Sequence, residues 1–248
     1  MIPTDNSTNQ IIGSDYGVSP SGGVGGSFTP TSIAGLLAWW DFSALALNNN
    51  DPISSVSDSS GNSNNLSQAT GINQPLFKTN ITNGKAMGLF DGINDEMTCP
   101  LTATTNPITI FTLIRPLTSF AVNTSFLGCS AAGGLELRFN TSGKQEALNA
   151  NVVSIGTATN AESLNVAVDL GFTYNTSGNF AFYTNGIANG SGTNFTPFSA
   201  STVVVGESVA PLEFMNGYIG EMLIYNSVLS TGNRQLVEGY LRSKWGTP

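Results

Sequence analysis

The sequence predicts an all-β sandwich or jelly roll closed by one C-terminal helix. Three observations carry this. Short apolar runs recur every roughly 8–15 residues with Gly, Asn, Asp, Ser or Pro between them, the pattern of sandwich strands joined by turns. Strand patterns do not alternate with helical ones, which disfavours a parallel α/β sheet. Only 10% of the residues are charged, against an average near ~25%, so Asn, Ser, Thr and Gly must cover the surface, as they do in turn-rich β proteins.

The elements follow in order. Leu36-Leu-Ala-Trp-Trp-Asp-Phe42 reads as the first strand. Its adjacent Trp39 and Trp40 point to opposite faces. One of them belongs in the core; the other either packs between elements or stacks on a sugar ring or a neighbouring subunit. Asp58-Ser-Ser-Gly-Asn62 is a loop, and Ala86-Met-Gly-Leu-Phe90 is a strand running into the tight turn Asp91-Gly-Ile-Asn-Asp95. A strand over 97–101 leaves that turn. Residues 108–115 form a strand stopped by Pro116; 125–129 and the alternating 135–139 follow, with further strands expected at 151–155 and 164–170. Asn179-Phe-Ala-Phe-Tyr-Thr-Asn-Gly186 alternates and ends in Asn-Gly, the strongest short hairpin signal. Strands at 203–206 and 218–225 complete the set. The helix starts at an N-cap, Ser230, whose hydroxyl accepts from a free backbone N–H. Leu236, Val237, Tyr240 and Leu241 recur at helical spacing as one apolar face, and Trp245 packs the helix onto the sandwich.

Residues 1–32 differ from the sandwich domain expected over 33–248. The segment ends in Ser19-Pro-Ser-Gly-Gly-Val-Gly-Gly-Ser-Phe-Thr-Pro30, and such a composition buries too little apolar surface to fold alone. It reads as an extended anchoring arm. Its sizeable apolar groups, Ile2, Ile11, Ile12, Tyr16, Val18 and Phe28, are the expected partner-binding residues.

Charge narrows the function. The net charge is -8, and Lys78, Lys85, Arg115, Arg138, Lys144, Arg234, Arg242 and Lys244 are scattered. A nucleic-acid binder needs a basic stripe to neutralise phosphates, and an acidic surface repels anionic membranes, so neither partner is expected. No run approaches the ~18 apolar residues of a membrane span, and the N-terminus lacks the basic and apolar regions of a signal peptide. A product made in the cytosol is therefore expected. Cys99 and Cys129 read as two buried thiols or as a disulfide, which spacing does not decide.

The motifs also line up in a known order. Leu37-Ala-Trp-Trp-Asp-Phe42, Asp58-Ser-Ser-Gly-Asn62, Phe90-Asp-Gly-Ile-Asn-Asp95, Phe182-Tyr-Thr-Asn-Gly186, Gly217-Tyr-Ile-Gly-Glu-Met-Leu-Ile-Tyr225 and Tyr240-Leu-Arg-Ser-Lys-Trp-Gly246 together resemble the concanavalin A-like lectin/glucanase superfamily in its laminin-G-like branch. The resemblance spans about residues 35–246. It implies a two-sheet antiparallel jelly roll without implying one function. The arm and the Asn/Thr/Gly-rich surface resemble bacteriophage virion proteins. That resemblance implies a capsid decoration (cement) protein located in the virion and made in the host cytoplasm. The implied partners are the major capsid or tail protein, copies of the chain itself as a trimer, and surface glycans. The alternative it carries is a carbohydrate-binding receptor-recognition component of a tail or head fibre.

No catalytic residue and no cofactor is expected. Glucanases of this superfamily align carboxylates along one strand, and no Glu-x-Asp-x-Glu pattern occurs here. Glu136, Glu146, Glu207, Glu213 and Glu221 stand apart along the chain, with Glu221 expected to be tied to an Arg or a backbone group. The absence of His removes His-based triads and the commonest zinc ligands. Asp91, Asn94 and Asp95 offer oxygens to Ca²⁺, but Asp and Asn in a tight turn bond their own backbone, which is the expected role.

Overall fold

The computed structural model describes residues 28–101, 107–117, 120–129, 134–149, 153–194, 202–208 and 213–248. Their strands are β1 (Leu36–Asp41), β2 (Ser55–Val56), β3 (Leu66–Ser67), β4 (Leu76–Thr82), β5 (Lys85–Asp91), β6 (Met97–Cys99), β7 (Ile108–Pro116) and β8 (Thr124–Cys129). They continue as β9 (Leu135–Phe139), β10 (Lys144–Asn149), β11 (Val153–Ala161), β12 (Val168–Tyr174), β13 (Asn179–Thr184), β14 (Ile187–Thr193), β15 (Val203–Val205) and β16 (Asn216–Tyr225), followed by α1 (Thr231–Trp245). Among the described residues no helix is long and apolar enough to cross a membrane.

The strands form two antiparallel sheets. Sheet A runs β14-β13-β12-β7-β16-β5-β4, with β1 also on β16; sheet B runs β11-β10-β9-β8-β15-β6-β3-β2. The long β16 organises sheet A. It pairs with β7 along its length, with β5 at residues 216–219, and with β1 at residues 221–225.

Two apolar layers follow from the alternation of side chains. Between the sheets lie Trp40, Phe42, Phe90, Ile108, Ile110, Ile114, Phe126, Leu137, Phe139 and Phe172, all buried. On the outer side of sheet A, Phe111, Leu113, Leu223 and Tyr225 meet Val237, Leu241 and Trp245 of α1. The central strand β7 is therefore buried on both faces, which explains why its sequence alternates only partially. Gly220 lets the helix come this close: a Cβ there would stand 2.7 Å from the Trp245 ring.

The helix begins where its cap residue indicates. Ser230 Oγ accepts from the Asn233 N–H at 3.2 Å, and Gly246 ends it in the left-handed conformation at φ 69°. The apolar face differs from the expected one. Leu236 is 50% exposed, and the residues facing the sheet are Val237, Leu241 and Trp245 with Arg234 and Glu238. The two charged groups fit because they pair with each other, while the Arg234 guanidinium lies 3.9 Å over the Tyr183 ring.

Strand boundaries moved in one region. The expected strands at 151–155 and 164–170 are β11 and β12, shifted toward the C-terminus, with Leu164 and Val166 exposed in the connection between them. The Asn185-Gly186 hairpin forms as expected, with φ 51° and φ 76° at its two turn residues. Cys99 and Cys129 are buried free thiols. Both face Val203 of β15 from opposite sides. Two strand spacings of about 4.8 Å separate them, beyond the roughly 7 Å that a disulfide spans.

Candidate functional site

Sheet B brings together three carboxylates that stand apart in the sequence. In β9, Leu135, Leu137 and Phe139 face the core, so Glu136 and Arg138 point outward. Glu146 of β10 is the cross-strand partner of Arg138, and its Oε2 accepts from Arg138 Nε and Nη2, both at 2.9 Å. Glu213, just before β16, takes Arg138 Nη1 at 3.1 and 2.9 Å on its two oxygens. Glu136 Oε1 lies 3.8 Å from Nη1. Asn123 Nδ2 donates to Glu213 Oε1 at 2.8 Å. A cavity of ≈ 460 Å³ adjoins Glu213, between Asn123, Thr141 and Phe214.

Burial sets the electrostatics of this cluster. The Glu136 carboxyl is pushed up to about 7, chiefly by desolvation; Arg138 opposes the shift, and the neighbouring Glu213 and Glu146 reinforce it. One guanidinium thus serves three carboxyls, and the least favourably placed of them tends to keep its proton near neutral pH. Sequence reasoning missed this cluster. The alternation of residues 135–139 already places Glu136 and Arg138 on one face, but only the strand pairing supplies Glu146.

The acidic turn is organised by its own backbone. Asp91 Oδ1 accepts from Ile93 N at 2.8 Å and Asn94 N at 3.3 Å. Asp95 Oδ2 accepts from Asp91 N at 2.9 Å, and Asn94 Nδ2 donates to Asn73 Oδ1 at 3.3 Å. Asp95 is pushed up to about 6, first by burial. The loop at Asp58 has the same character. The Asp58 carboxylate accepts from the backbone N–H of Trp39, Ser60 and Asn64 and from Ser60 Oγ. Asn62 reaches back to the Leu36 carbonyl at 2.8 Å, so this loop pins β1.

Glu221 is held differently from expectation. Among the described residues neither an Arg nor a backbone group binds its carboxylate. Oε1 accepts from Trp39 Nε1 at 2.6 Å and Tyr240 OH at 2.8 Å. Oε2 accepts from Lys244 Nζ at 2.7 Å and Trp245 Nε1 at 2.8 Å. The reason is the path of α1, which lays Tyr240, Lys244 and Trp245 over β16. Trp39 is accordingly an inter-element packing residue, edge-on to Tyr240 at 6.0 Å, and Trp40 is fully buried.

Among the arm residues, Ile2, Ile11, Ile12, Tyr16 and Val18 lie outside the described residues. Phe28 is half-buried against the chain's own Tyr240, with ring centroids 6.4 Å apart. Pro30 is buried, and its carbonyl accepts from Tyr225 OH at 3.1 Å. The chain therefore joins the sandwich on the α1 side of sheet A.

With this geometry in place, comparison with known proteins settles the family. Residues 91–233, more than half of the chain, match the laminin-G model of the concanavalin A-like lectin/glucanases superfamily. The chain belongs to that superfamily. No curated protein matches it by sequence. Similar solved structures include the sialidase of Trypanosoma rangeli, at 13% identity and TM-score 0.62 over 87% of this chain and 34% of that one. Domain 4 of AbnA, an extracellular GH43 arabinanase from Geobacillus stearothermophilus in complex with arabinotriose, is 16% identical at TM-score 0.59, over 81% of this chain and 97% of that domain. The binding domain of botulinum neurotoxin serotype D is 15% identical at TM-score 0.60, over 86% of this chain and 54% of that one. The chain thus spans about a third of the sialidase and matches whole or partial domains elsewhere. At these identities the likeness is one of fold: a lectin-like sandwich that also occurs within glycosidases.

Proposed function

We propose that this superfamily member is a non-catalytic structural module of a bacteriophage virion, a capsid decoration (cement) protein attached through its N-terminal arm. The observation that carries the reading is the entry of the chain at Phe28, beside Tyr240 on the outer side of sheet A. An arm entering there can hold the sandwich to a particle while the outer face of sheet B, on the opposite side, points away from it. Ile2, Ile11, Ile12, Tyr16 and Val18 are the proposed anchors, and the major capsid or tail protein and neighbouring copies in a trimer are the proposed partners.

The carboxylates support a non-catalytic role. A retaining glycosidase needs two carboxyl groups ~5–5.5 Å apart across a substrate cleft. Here Glu136, Glu146 and Glu213 converge on Arg138, and Glu221 is fully buried among four donors.

The test is deletion of residues 1–27, a cut that spares Phe28 and Pro30. The truncated protein should keep the circular dichroism and melting curve of the full chain, yet be missing from purified phage particles. Particles carrying the truncated protein at wild-type occupancy would overturn the attachment. A second reading, a carbohydrate-binding receptor-recognition component of a tail or head fibre, draws on the fold shared with the arabinotriose-bound arabinanase domain. Antibody labelling of intact particles, on the capsid or on a fibre, separates the two.

A further inference from the structure

Asp41 and Glu221 are cross-strand partners where β1 pairs with β16. Their side chains leave the same face of sheet A, the outer one that α1 covers, and two carboxylates placed so repel each other. Lys244 of α1 lies between them. Its Nζ stands 2.6 Å from Asp41 Oδ2 and 2.7 Å from Glu221 Oε2, and donates to Tyr240 OH at 3.2 Å. The Asp41, Glu221 and Lys244 side chains are 13%, 0% and 14% exposed. Aromatic rings surround the ammonium, with the Tyr240 and Trp245 centroids 5.6 and 5.3 Å away.

More is arranged here than an ion pair needs. Asp41 Oδ1 accepts from the Ser43 backbone N–H at 3.0 Å and from Ser43 Oγ at 2.7 Å. One oxygen of the carboxylate is thus pinned by two donors, and the other faces the nitrogen. Glu221 touches the same nitrogen while Trp39, Tyr240 and Trp245 hold its carboxyl in place. A nucleophile, an electrophile and a proton acceptor are therefore fixed within hydrogen-bond reach of one another.

We propose that Lys244 Nζ and Asp41 Cγ condense to an intramolecular isopeptide bond, with Glu221 carrying the proton. Glu221 Oε2 takes a proton from the ammonium and hands it to Oδ2, which contacts the same nitrogen. The free amine adds to Cγ, and the charge that develops gathers on Oδ1, against the two Ser43 donors. Oδ2 then leaves as water with two of the three ammonium protons. One C–N bond forms and one C–O bond breaks, so the balance needs no oxidant, metal or cofactor. Burial holds the Glu221 carboxyl above its ordinary value, with Lys244 opposing, which suits a group that takes up and releases a proton. The fold makes the ion pair first, and holding the two groups in contact replaces the encounter they would need in water. Condensation turns a buried ammonium and carboxylate into a neutral amide, which is cheaper to bury. The amide N–H takes the place of the ammonium as donor to Glu221. The bond joins positions 203 residues apart, so a pull on the arm, which enters just before β1, stops at Asp41. The reaction occurs once per chain, turns over no substrate and does not depend on attachment to a virion.

The test is a peptide map of the full chain, purified and then held at neutral pH for days. Trypsin cuts after Lys78 and Arg242, so the bonded chain yields residues 1–78 joined to residues 243–248, lighter than their sum by one water. Tandem mass spectrometry places the link at Asp41 and Lys244. Lys244→Arg, which keeps the charge, should show neither the link nor the loss of water. Glu221→Gln should slow the reaction at least about a hundredfold. Circular dichroism first shows each variant to be folded; if Glu221→Gln does not fold, the map of the unaltered chain against Lys244→Arg decides. Complete cleavage after Lys244 in the unaltered chain, a water lost only elsewhere, as in a succinimide at Asp91-Gly92, or an unchanged rate in folded Glu221→Gln would each overturn the proposal.

Discussion

Replacing Glu221 with Gln removes the charge on which the helix–sheet junction converges. The side chain is 0% exposed and accepts from two indoles, a phenol and an ammonium. Glutamine keeps one acceptor oxygen and turns an amide NH₂ toward the other pair of donors. Two buried donors then lose their partner, at about 1–3 kcal/mol each. Lys244 keeps Asp41 at 2.6 Å, so the ammonium is not left alone. Loss of the charge also relieves the burial that raises the Glu221 pKa, which Lys244 opposes. Because the ammonium keeps a carboxylate, the two lost hydrogen bonds set the expected net loss, about 2–6 kcal/mol. For a chain of this size it corresponds to a melting temperature lower by roughly 4–24 °C. Calorimetry of Glu221→Gln reads this directly, and a double-mutant cycle with Lys244→Met isolates the pair. A variant melting within about 2 °C of the wild type would show that the four hydrogen bonds do not hold the helix down, and the reasoning would fail.

Two further predictions concern stability. Trp245→Ala should cost about 3–5 kcal/mol, because Trp245 is 1% exposed beneath α1. Leu236→Ala on the same helix should cost under about 1 kcal/mol, because Leu236 is 50% exposed; urea denaturation of both variants checks the contrast. The chain should also grow more stable as pH falls from about 8 toward 5. Asp95, Glu136 and Glu207 are pushed up to about 6, 7 and 8, each first by burial. Glu162, Asp169, Glu221 and Glu238 shift the same way. A carboxyl with a raised folded-state pKa binds its proton more tightly in the fold. Its favourable contribution is complete below the ordinary value and is lost as pH rises through the folded one. For Glu136, the gap between 4.5 and about 7 amounts to at most roughly 3 kcal/mol. Melting temperatures across this range should therefore fall with rising pH, and Glu136→Gln should flatten the slope.

Much of this fold can be read from the chain because its strands announce themselves locally. Ile108-Thr-Ile-Phe-Thr-Leu-Ile, the Asn185-Gly186 turn and the Ser230 cap each carry their own signal, and each forms where expected. The strand β10 is different. Lys144-Gln-Glu-Ala-Leu-Asn149 has no β-branched or aromatic residue, and it becomes a strand because β9 and β11 pair with it on both sides. The helix face fails for a related reason. Spacing alone places Leu236 with Val237, Tyr240 and Leu241, but the sheet beneath takes Val237, Leu241 and Trp245 and leaves Leu236 50% exposed.

The polar clusters depend on such non-local pairing even more. Glu146 meets Arg138 across neighbouring strands, and Glu213 reaches the same guanidinium from 75 residues away along the chain. The carboxylate of Glu221 meets Trp39 over a separation of 182 residues. A motif search along one strand finds carboxylates that share that strand. It does not find a group whose members come from two strands, a loop and a helix. The same limit applies to Asp41 and Lys244, which stand 203 residues apart and each look like an ordinary surface residue until β1, β16 and α1 come together.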